Sequence, residues 1–329
     1  MRALTGIKPT AMPHIGNLLG AIIPALRLQE QAHEAFYFIA DYHALTTLHD
    51  ATRMRAHTRE VAATWLALGL DPARTTLWVQ SDVPEVTELT WLLSCVTGFG
   101  LLERAHAFKD AVAHNREVNV GTFLYPALMA ADILAYDTKL VPVGKDQKQH
   151  VEMARDMAQA FNARFGEVLT LPDALIQDEV ATIPGLDGRK MSKSYDNTIE
   201  IFLPEKAMRK KVMSIVTDSK GVDDPKDPET DNVFALYKLF ATPEASASLA
   251  ARYRAGGLGY GHAKQELFEA ITTRLGPARA RFEALMADPR EVDEVLLHGA
   301  ARARPVAQDT LRRAREAVGL RGSPRGDRR

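Results

Sequence analysis

Two short segments, far apart in the chain, carry residue types that suit phosphate chemistry. They are Pro13–Asn17, with the sequence PHIGN, and the lysine loop Lys190–Ser194, with the sequence KMSKS. A helix that begins after a strand presents unpaired N–H groups and a positive dipole end, which favour phosphate there. Lysine ammonium groups can neutralise the charge that builds on a departing pyrophosphate. Together the two segments predict an enzyme that holds a triphosphate from opposite sides.

Each segment also has a plainer interpretation when it is taken alone. A proline-rich turn before a helix is usually only a turn, and a basic loop is often only solvated surface. Gly16 would let a purine ring lie close to the backbone, while His14 and Asn17 add donors that can reach phosphate oxygens. Because both segments occur in this order on an α/β background, we favour the functional interpretation.

Composition indicates a globular protein with a large core. The chain has 329 residues, of which 46% are hydrophobic and 25% are charged. This length suggests about two domains. The net charge of −1 provides no overall positive field, so any contact with RNA must come from local patches.

Neither a membrane span nor a secretory signal is expected. The most apolar stretch, Val120–Tyr136, is interrupted by Pro126 and Asp132 and falls short of the roughly 20 residues that cross a bilayer. The N-terminus has no positively charged start followed by a long apolar run. The single cysteine, Cys95, fits a reducing compartment. We therefore expect a cytoplasmic protein.

The first half alternates short β-like runs with longer helical segments. Strands are predicted at Ala3–Ile7, Phe36–Ala40, Thr75–Gln80 and Leu140–Val143, and helices from about His14, over about Thr52–Leu70 and from near Asp146. This alternation favours an α/β fold with a Rossmann-like parallel sheet that is covered on both faces. Pro142 weakens the last strand prediction, because proline removes a donor from the ladder.

Beyond about Pro204, apolar positions recur with helical spacing, as in the segment from Val233 to Phe240. The stretch Ser219–Asp231 is rich in Asp, Lys and Pro and predicts an exposed loop, and the residues from Arg321 onward predict a disordered tail. We predict a nucleotide-binding catalytic domain over residues 1–203, including the lysine loop. An all-helical domain is predicted over residues 204–329, and its last helix can pack back on the catalytic domain.

Further segments extend a resemblance that begins with the two phosphate segments. Pro9–Asn17 and Lys190–Ser194 resemble the two signatures of class I aminoacyl-tRNA synthetases, and Asp41–Thr46, Tyr125–Leu134 and Val141–His150 narrow the resemblance to tryptophanyl-tRNA synthetases of bacterial type. The resemblance covers nearly the whole chain. It implies a homodimer that activates tryptophan with Mg-ATP to tryptophanyl-adenylate and transfers it to tRNA(Trp). The helical domain would contact the tRNA anticodon.

Tyr125, Met129 and Asp132 are spaced at i, i+4 and i+7, so on a helix they share one face. Such a face is often core, but a buried carboxylate without a partner is costly. Because an indole N–H donates and cannot accept, Asp132 can bind it while Met129 packs against the ring. Related tyrosyl enzymes usually have glutamine at the position of Met129. A methionine there favours tryptophan, and a ligand without the N–H would leave Asp132 unpaired.

The resemblance implies the members of two binding sets. The tryptophan site is expected to consist of Leu4, Gly6, His43, Tyr125, Met129, Asp132, Val141, Val143 and Gln147. The ATP site is expected to consist of Lys8, Thr10, His14, Gly16, Asn17, Gly144, Asp146, Lys190, Met191 and Lys193. Lys190 and Lys193 are expected to stabilise the transition state, and His14 and Asn17 are expected to position ATP. Carboxylates with the spacing of a dedicated metal site are not evident, so Mg²⁺ is expected to be held chiefly by phosphates.

Some assignments have alternatives that the residues leave open. Asp146 could also cap the helix that follows it, and His43 could be an ordinary core histidine. Lys145 stands where many relatives have an acidic residue. Ala111 stands where relatives often have a lysine that holds phosphates, so Lys109 or Lys8 would substitute or turnover would be slower.

Basic residues of the C-terminal region are candidates for contacts with tRNA phosphates, namely Arg209, Lys210, Lys211, Arg312, Arg313 and Arg315. Charge runs on helices are more often solvated faces. Two rival classes also stay open: another nucleotidyl transferase, including a tyrosyl enzyme, and a non-catalytic relative kept for partner binding. Pyrophosphate exchange with tryptophan against tyrosine, and charging of tRNA, would separate them.

Overall fold

Five parallel strands form one sheet among the residues that the computed structural model describes. These are residues 2–9, 12–30, 34–105, 108–109, 118–144, 148–176 and 183–321. The strands are β1 (Arg2–Ile7), β2 (Glu34–Ile39), β3 (Thr75–Val79), β4 (Leu140–Val143) and β5 (Asp173–Ile176). Their order across the sheet is β3-β2-β1-β4-β5. Every pairing between neighbours is parallel.

The order of the strands creates a switch point between β1 and β4. The chain builds the sheet outward from β1 to β3 and then crosses to β4 on the other side of β1. In open parallel sheets, ligands bind in the crevice outside the carboxyl ends of the strands at such a point. The site residues are therefore expected where β1 and β4 end.

Helices connect the strands and form most of the second half. In the first half, α1 (Ile15–Asn17) continues as a π-helix over Leu18–Ile22 and then as α2 (Ile23–Glu30). The helices that follow are α3 (Asp41–Ala44), α4 (Ala51–Ala67), α5 (Glu85–Ser94), α6 (Phe99–Glu103), α7 (Val120–Leu134) and α8 (Lys148–Phe165). Those of the second half are α9 (Glu205–Met213), α10 (Asn232–Tyr237), α11 (Pro243–Ala255), α12 (Tyr260–Ala287) and α13 (Arg290–Ala317). Among the described residues, no helix is both long enough and apolar enough to cross a membrane.

The α/β fold class and all four predicted strands are confirmed, whereas β5 was not predicted. β5 has four residues, as β4 does, but its sequence DALI begins with a charged residue and has one β-branched residue, so it lacks the apolar run that predicted β4. It is a strand because its backbone pairs in register with β4, from Leu140 opposite Asp173 to Val143 opposite Ile176. Pro142 does not prevent β4 from forming. The bridge from β4 to β1 lies earlier in the strand, between Leu140 and Ala3.

The last helix, α13, packs on β3, at the edge of the sheet. Gly299 approaches this strand so closely that an added Cβ would lie 1.7 Å from the carbonyl oxygen of Leu77. Further along the helix, the Arg313 guanidinium binds the Asp137 carboxylate at 2.6 Å, and Arg315 pairs with Glu88. These contacts join the C-terminal helix to the sheet and its covering helices.

Two buried hydrophobic clusters each contain residues from both sides of the predicted boundary at residue 203. One joins Ile15 and Val61 to Ile271 and Val292. The other joins residues of β1, β2 and α7 to the small residues along α13. The core therefore runs through both halves of the chain, and the division at residue 203 stays a prediction.

Candidate active site

Four strands deliver residues to the crevice at their carboxyl ends. Lys8 follows β1, His43 lies on α3 directly after β2, Gln80 follows β3, and Gly144 follows β4. Because the strands are parallel, all four ends lie at the same edge of the sheet. The first-half fold therefore brings together residues that are up to 136 positions apart in the chain.

Asp132, on α7, connects two of these strand ends through buried hydrogen bonds. His43 Nε2 lies 2.8 Å from Asp132 Oδ2, and Gln80 Nε2 donates to each carboxylate oxygen at 2.8 Å. Asp132 is only 1% exposed. Burial raises the pKa of Asp132, while the hydrogen bonds from His43 and Gln80 oppose this rise. The result is a desolvated carboxyl group that two side chains hold in one orientation.

The face of α7 that carries Asp132 becomes more exposed toward the start of the helix. Tyr125 and Met129 are half-buried, whereas Asp132 is buried. The Tyr125 hydroxyl lies 2.5 Å from His150 Nε2, and burial raises the pKa of Tyr125 to about 12. The Lys8 ammonium lies 5.5 Å from the centre of the Tyr125 ring. This face therefore presents an aromatic ring and a thioether on the way to a buried carboxyl group.

The PHIGN segment forms a capping box at the start of α1. His14 Nδ1 accepts from the backbone N–H of Asn17 at 3.3 Å, and Asn17 Oδ1 accepts from the backbone N–H of His14 at 3.1 Å. Burial, together with the nearby charge of Lys193, lowers the pKa of His14 to about 4. His14 is therefore neutral near pH 7, and with Nδ1 as acceptor its remaining donor is Nε2–H.

The lysine loop touches this capped helix start directly. The backbone N–H of Gly16 donates to Met191 Sδ at 3.3 Å. Just beyond the loop, Ile199 and Ile201 pair with the PHIGN segment, since Ile15 N donates to Ile199 O at 2.9 Å and Ile201 N donates to Pro13 O at 3.1 Å. A Cβ on Gly16 would lie 2.9 Å from the His14 ring. The glycine is thus needed by the protein's own packing, before any nucleotide is considered.

A buried asparagine holds the shape of the lysine loop. Asn197 is 2% exposed, and its Nδ2 donates to Asp187 Oδ1 at 2.7 Å and to Lys190 O at 3.1 Å. Its Oδ1 accepts from the backbone N–H of Ser192 at 2.8 Å. Gly185, before the loop, lies so near that a Cβ would be 2.3 Å from Asn197 Nδ2. The Asn197 side chain therefore links Asp187, in the turn that precedes the loop, to the backbone of the loop itself.

The second lysine lies close to His14. Lys193 begins a short 3₁₀ helix over Lys193–Tyr195. Desolvation lowers the pKa of Lys193, and the negative charges of Glu200 and Glu60 oppose this. Lys190 and Lys193 both have exposed side chains. Of the two ammonium groups, that of Lys193 is the one whose charge acts on His14 at the helix start.

The predicted site residues fall into two groups, which the structure brings to the same edge of the sheet. The first contains His14, Gly16, Asn17, Lys190, Met191 and Lys193. The second contains Lys8, His43, Tyr125, Met129 and Asp132. Val143 is half-buried and Gly144 exposed where β4 ends. Thr10, Asp146 and Gln147 lie outside the described residues, as do Lys145 and Ala111.

Three predicted members of the tryptophan site also have a plain packing role. Leu4 and Val141 are buried in the cluster that holds the sheet to α7. Gly6 lies under the Phe38 ring, where a Cβ would be 2.5 Å from Phe38 Cζ. All three residues therefore contribute to packing in the core, whatever ligand lies above them.

The chain is closely similar to known synthetases over nearly its whole length. The family model for class I tRNA synthetases (W and Y) matches residues 1–276. The tryptophan–tRNA ligase of Rhodopirellula baltica is 52% identical over 321 residues, which are 98% of this chain and 100% of that protein. The chain belongs to the class I tryptophanyl-tRNA synthetases. A crystal structure of this synthetase family from Campylobacter jejuni, complexed with ADP and tryptophan, matches with a TM-score of 0.93 and 48% identity, and covers 97% of this chain and 100% of that one.

Sequence reasoning missed three polar residues of the candidate site. Gln80 binds Asp132, His150 binds Tyr125, and Asn197 binds the backbone of the lysine loop. His150 is the last residue of the recognised segment Val141–His150 but was given no role there, and Asn197 follows the lysine loop by three residues. Gln80 has no such signal, because a single glutamine after a strand resembles any other turn residue.

Several C-terminal basic residues that were candidates for tRNA contacts form ion pairs within the protein. Lys211 binds Glu200 at 2.7 Å near the site, and Arg313 and Arg315 bind acids of the first half. Arg312 pairs with Asp309 and Glu316 on its own helix. These ion pairs compete with tRNA phosphates, so the prediction is weakened for these four residues.

Proposed function

We propose that this synthetase is a tryptophan–tRNA ligase, which activates L-tryptophan with ATP to tryptophanyl-adenylate and transfers it to tRNA(Trp). The observation that carries the amino-acid specificity is the buried carboxyl group of Asp132, held by His43 and Gln80. The tryptophan and ADP in the C. jejuni relative support the same assignment.

The indole is proposed to lie along the face of α7, with its N–H donating to Asp132. A carboxylate has about four lone-pair sites, so it can accept this bond besides those from His43 and Gln80. Met129 would pack its thioether on the ring, and Tyr125 would contact the amino-acid end. Around them we place Leu4, Gly6, Val141 and Val143, and we keep Gln147 as a proposed contact of the same site.

ATP is proposed to lie over the capped start of α1, between the PHIGN segment and the lysine loop. Asn17 uses its Oδ1 in the capping box, which leaves its Nδ2 hydrogens to donate. Neutral His14 can donate from Nε2. We assign Lys8, Thr10, Gly16, Gly144, Asp146 and Met191 to the same nucleotide site.

The reaction requires alignment and charge stabilisation rather than a covalent intermediate with the enzyme. The tryptophan carboxylate attacks the α-phosphorus of ATP, the bond to the bridging oxygen breaks, and pyrophosphate leaves. Lys190 and Lys193 are proposed to stabilise the charge on the leaving group. The aminoacyl group then passes to the terminal adenosine of the tRNA.

Mg²⁺ is proposed to arrive on the ATP phosphates. Within the described ranges, no three His, Cys, Asp or Glu side chains converge as a metal site. Since Mg²⁺ in phosphoryl chemistry is commonly bound by one or two carboxylates and the substrate phosphates, this donor set fits a metal that the nucleotide carries. Its chemistry there would be to screen phosphate charge.

Residues 204–329 are proposed as the tRNA anticodon-binding domain of a cytoplasmic homodimer. Lys210 is exposed and makes no ion pair with the described residues, so it is a better candidate for a phosphate contact than the paired arginines. Arg209, which binds Gln265 at 3.1 Å, is a second candidate.

Pyrophosphate exchange with single variants tests the assigned roles. Asp132→Ala should raise the KM for tryptophan about 10- to 100-fold, because it removes a hydrogen bond to a charged acceptor. Lys193→Ala should lower kcat about 100-fold with little change in that KM, because its charge acts on the leaving group. Wild-type exchange should depend on tryptophan and not on tyrosine.

Two matched variants serve as controls. Asp231→Ala removes another buried acid, which binds the Tyr253 hydroxyl and the backbone of Phe234; it should affect stability but not KM. Lys206→Ala removes an exposed lysine of α9. If the Asp132 and Lys193 variants changed the same kinetic constant, the roles assigned to these two residues would be wrong. If tyrosine supported exchange as well as tryptophan, the proposed function would be wrong.

A further inference from the structure

Gln80 directly follows β3 and is, with His43, one of two side chains among the described residues that hydrogen-bond to the Asp132 carboxyl group. It is 1% exposed. Its amide nitrogen lies 2.8 Å from both oxygens of the Asp132 carboxyl group, so that it bridges them. A side chain in this position fixes the plane and rotation of the carboxyl group.

The amide orientation follows from the chemistry of the partners. An ionised carboxylate has only acceptors, so Gln80 must present its NH₂ group, and His43 must present Nε2–H. Gln80 Oε1 then faces away from Asp132, and it is buried without a hydrogen-bond partner among the described residues. Leaving a buried amide oxygen unsatisfied costs about 1–3 kcal/mol. Gln80 thus has an unsatisfied amide oxygen on the same side chain whose nitrogen binds Asp132.

We propose that Gln80 is a positioning residue for amino-acid specificity, which keeps the Asp132 carboxyl group oriented as an acceptor for the indole N–H. This inference rests on the proposed function, since it needs Asp132 to bind the indole. The donors of Gln80 stabilise the ionised form of Asp132 against its burial. Without them, Asp132 would be protonated more readily, and one of its two oxygens would become an O–H donor. The remaining neutral acceptor would bind the indole N–H more weakly than a carboxylate does.

The test compares tryptophan with its benzothiophene analogue, in which sulfur replaces the indole N–H. The analogue has nearly the same shape but cannot donate to Asp132. We define the discrimination ratio as the KM of the analogue divided by the KM of tryptophan in pyrophosphate exchange. In Gln80→Leu, we expect the KM for tryptophan to rise about tenfold, kcat to change little, and the ratio to fall at least fivefold. A purely structural role would weaken both ligands equally and would leave the ratio unchanged.

A matched control exists in Gln29, another buried glutamine next to β3. Its Nε2 donates to Gly69 O at 3.0 Å, and its Oε1 accepts from Thr75 at the start of the strand. Gln29→Leu should lower stability without changing the discrimination ratio. If Gln80→Leu does not fold, Gln80→Asn is measured instead, because its amide is one methylene further from the carboxyl group; the expected fall in the ratio is the same.

The outcomes separate the inference from the function on which it rests. If Asp132→Ala leaves the discrimination ratio at the wild-type value, Asp132 does not bind the indole and the proposed tryptophan site fails. If Asp132→Ala abolishes discrimination while the folded Gln80 variant keeps the wild-type ratio, the tryptophan site stands and the role of Gln80 is overturned.

Discussion

At the residue scale, the site depends on buried polar side chains that are already hydrogen-bonded by the protein. His14 illustrates this, because its ring caps a helix and lies close to Lys193. Burial is the largest cause of its lowered pKa, the positive charges of Lys193 and Lys211 add to it, and Glu200 opposes it. A neutral ring next to a lysine avoids placing a further positive charge in the helix start, and it keeps one N–H donor for a ligand.

The first prediction is that His14 titrates near pH 4, well below its ordinary value of 6.5. Lys193→Ala should raise the pKa of His14, because it removes a neighbouring positive charge. Lys190→Ala, in the same loop, is the matched control and should not. Histidine ring signals in NMR spectra across a pH series measure this directly. A His14 signal that titrates near pH 6.5 in the folded wild-type protein would contradict the described burial.

The same shift has a consequence for stability with a definite sign. The unfolded chain binds a proton at this histidine below about pH 6.5, whereas the folded protein does so only near pH 4. The contribution of neutral His14 to folding is therefore complete above pH 6.5 and is lost as the pH falls toward 4. In His14→Gln, the free energy of unfolding should depend less on pH over this range than in the wild-type protein, as measured by urea denaturation.

Residue chemistry was predictable from the sequence only where a motif surrounded it. Asp132, Met129 and the two lysines were found because their neighbours or their helical spacing gave a signal. Gln80 was missed, since its role exists only once β3 and α7 are side by side. Gly6 and Gly16 were predicted for the ligand's sake, but Phe38 and the His14 ring already require glycine there.

At the scale of elements, the lysine loop is a turn with a defined internal support rather than a free basic segment. Gly185 N donates to Arg189 O at 2.7 Å, and Met191 N donates to Ile183 O at 2.8 Å. Asn197 binds Asp187 in this turn and the backbone of Lys190 and Ser192 in the loop. The segment Pro184–Gly188, which leads into the loop, is therefore held by hydrogen bonds within the protein.

The second prediction is that Asn197→Ala slows adenylate formation without weakening tryptophan binding. The loop loses the hydrogen bonds that fix Lys190 and Ser192, and misplaced lysines stabilise the leaving pyrophosphate less well. We expect kcat for pyrophosphate exchange to fall about tenfold, with the KM for tryptophan unchanged. Asn162→Ala is a matched control, because Asn162 binds the backbone of Val168 and Leu169 in a similar way after α8. An equal effect of both variants on kcat would show that loop support is not the cause.

The third prediction concerns the contact between α13 and β3. A side chain at Gly299 would collide with the Leu77 carbonyl group, so Gly299→Ala must displace the helix from the strand. We expect the free energy of unfolding to fall by about 1–3 kcal/mol, which is typical of overpacked sites. Gly261→Ala, in α12, adds a Cβ that meets nothing within 4 Å. It should be neutral or slightly stabilising, because alanine favours a helix over glycine. Similar melting temperatures for the two variants would contradict this packing.

At the scale of the whole molecule, the sequence predicted the strands and helices better than the long-range contacts between them. Buried apolar runs predicted β1 to β4, and helical spacing predicted the second half. The short β5 depends on pairing with β4, and the docking of α13 depends on a surface that forms only after the sheet does. Long-range packing of this kind leaves no periodic signal in a single sequence.

The last prediction is that the two predicted domains unfold together. Both buried clusters cross residue 203, and ion pairs of Arg313 and Arg315 hold α13 to the first half. Separating residues 1–203 from the remainder would expose apolar surface on both parts, so neither should be stable without the other. Differential scanning calorimetry of the full chain should show one transition whose calorimetric and van't Hoff enthalpies agree.

Two arginine variants serve as a matched pair. Arg313→Met should shift this transition to lower temperature without splitting it. Arg254→Met should leave it nearly unchanged, because Arg254 and its partner Glu229 are exposed and lie 3.8 Å apart. Two resolved transitions in the wild-type protein would mean that the shared clusters do not couple the halves.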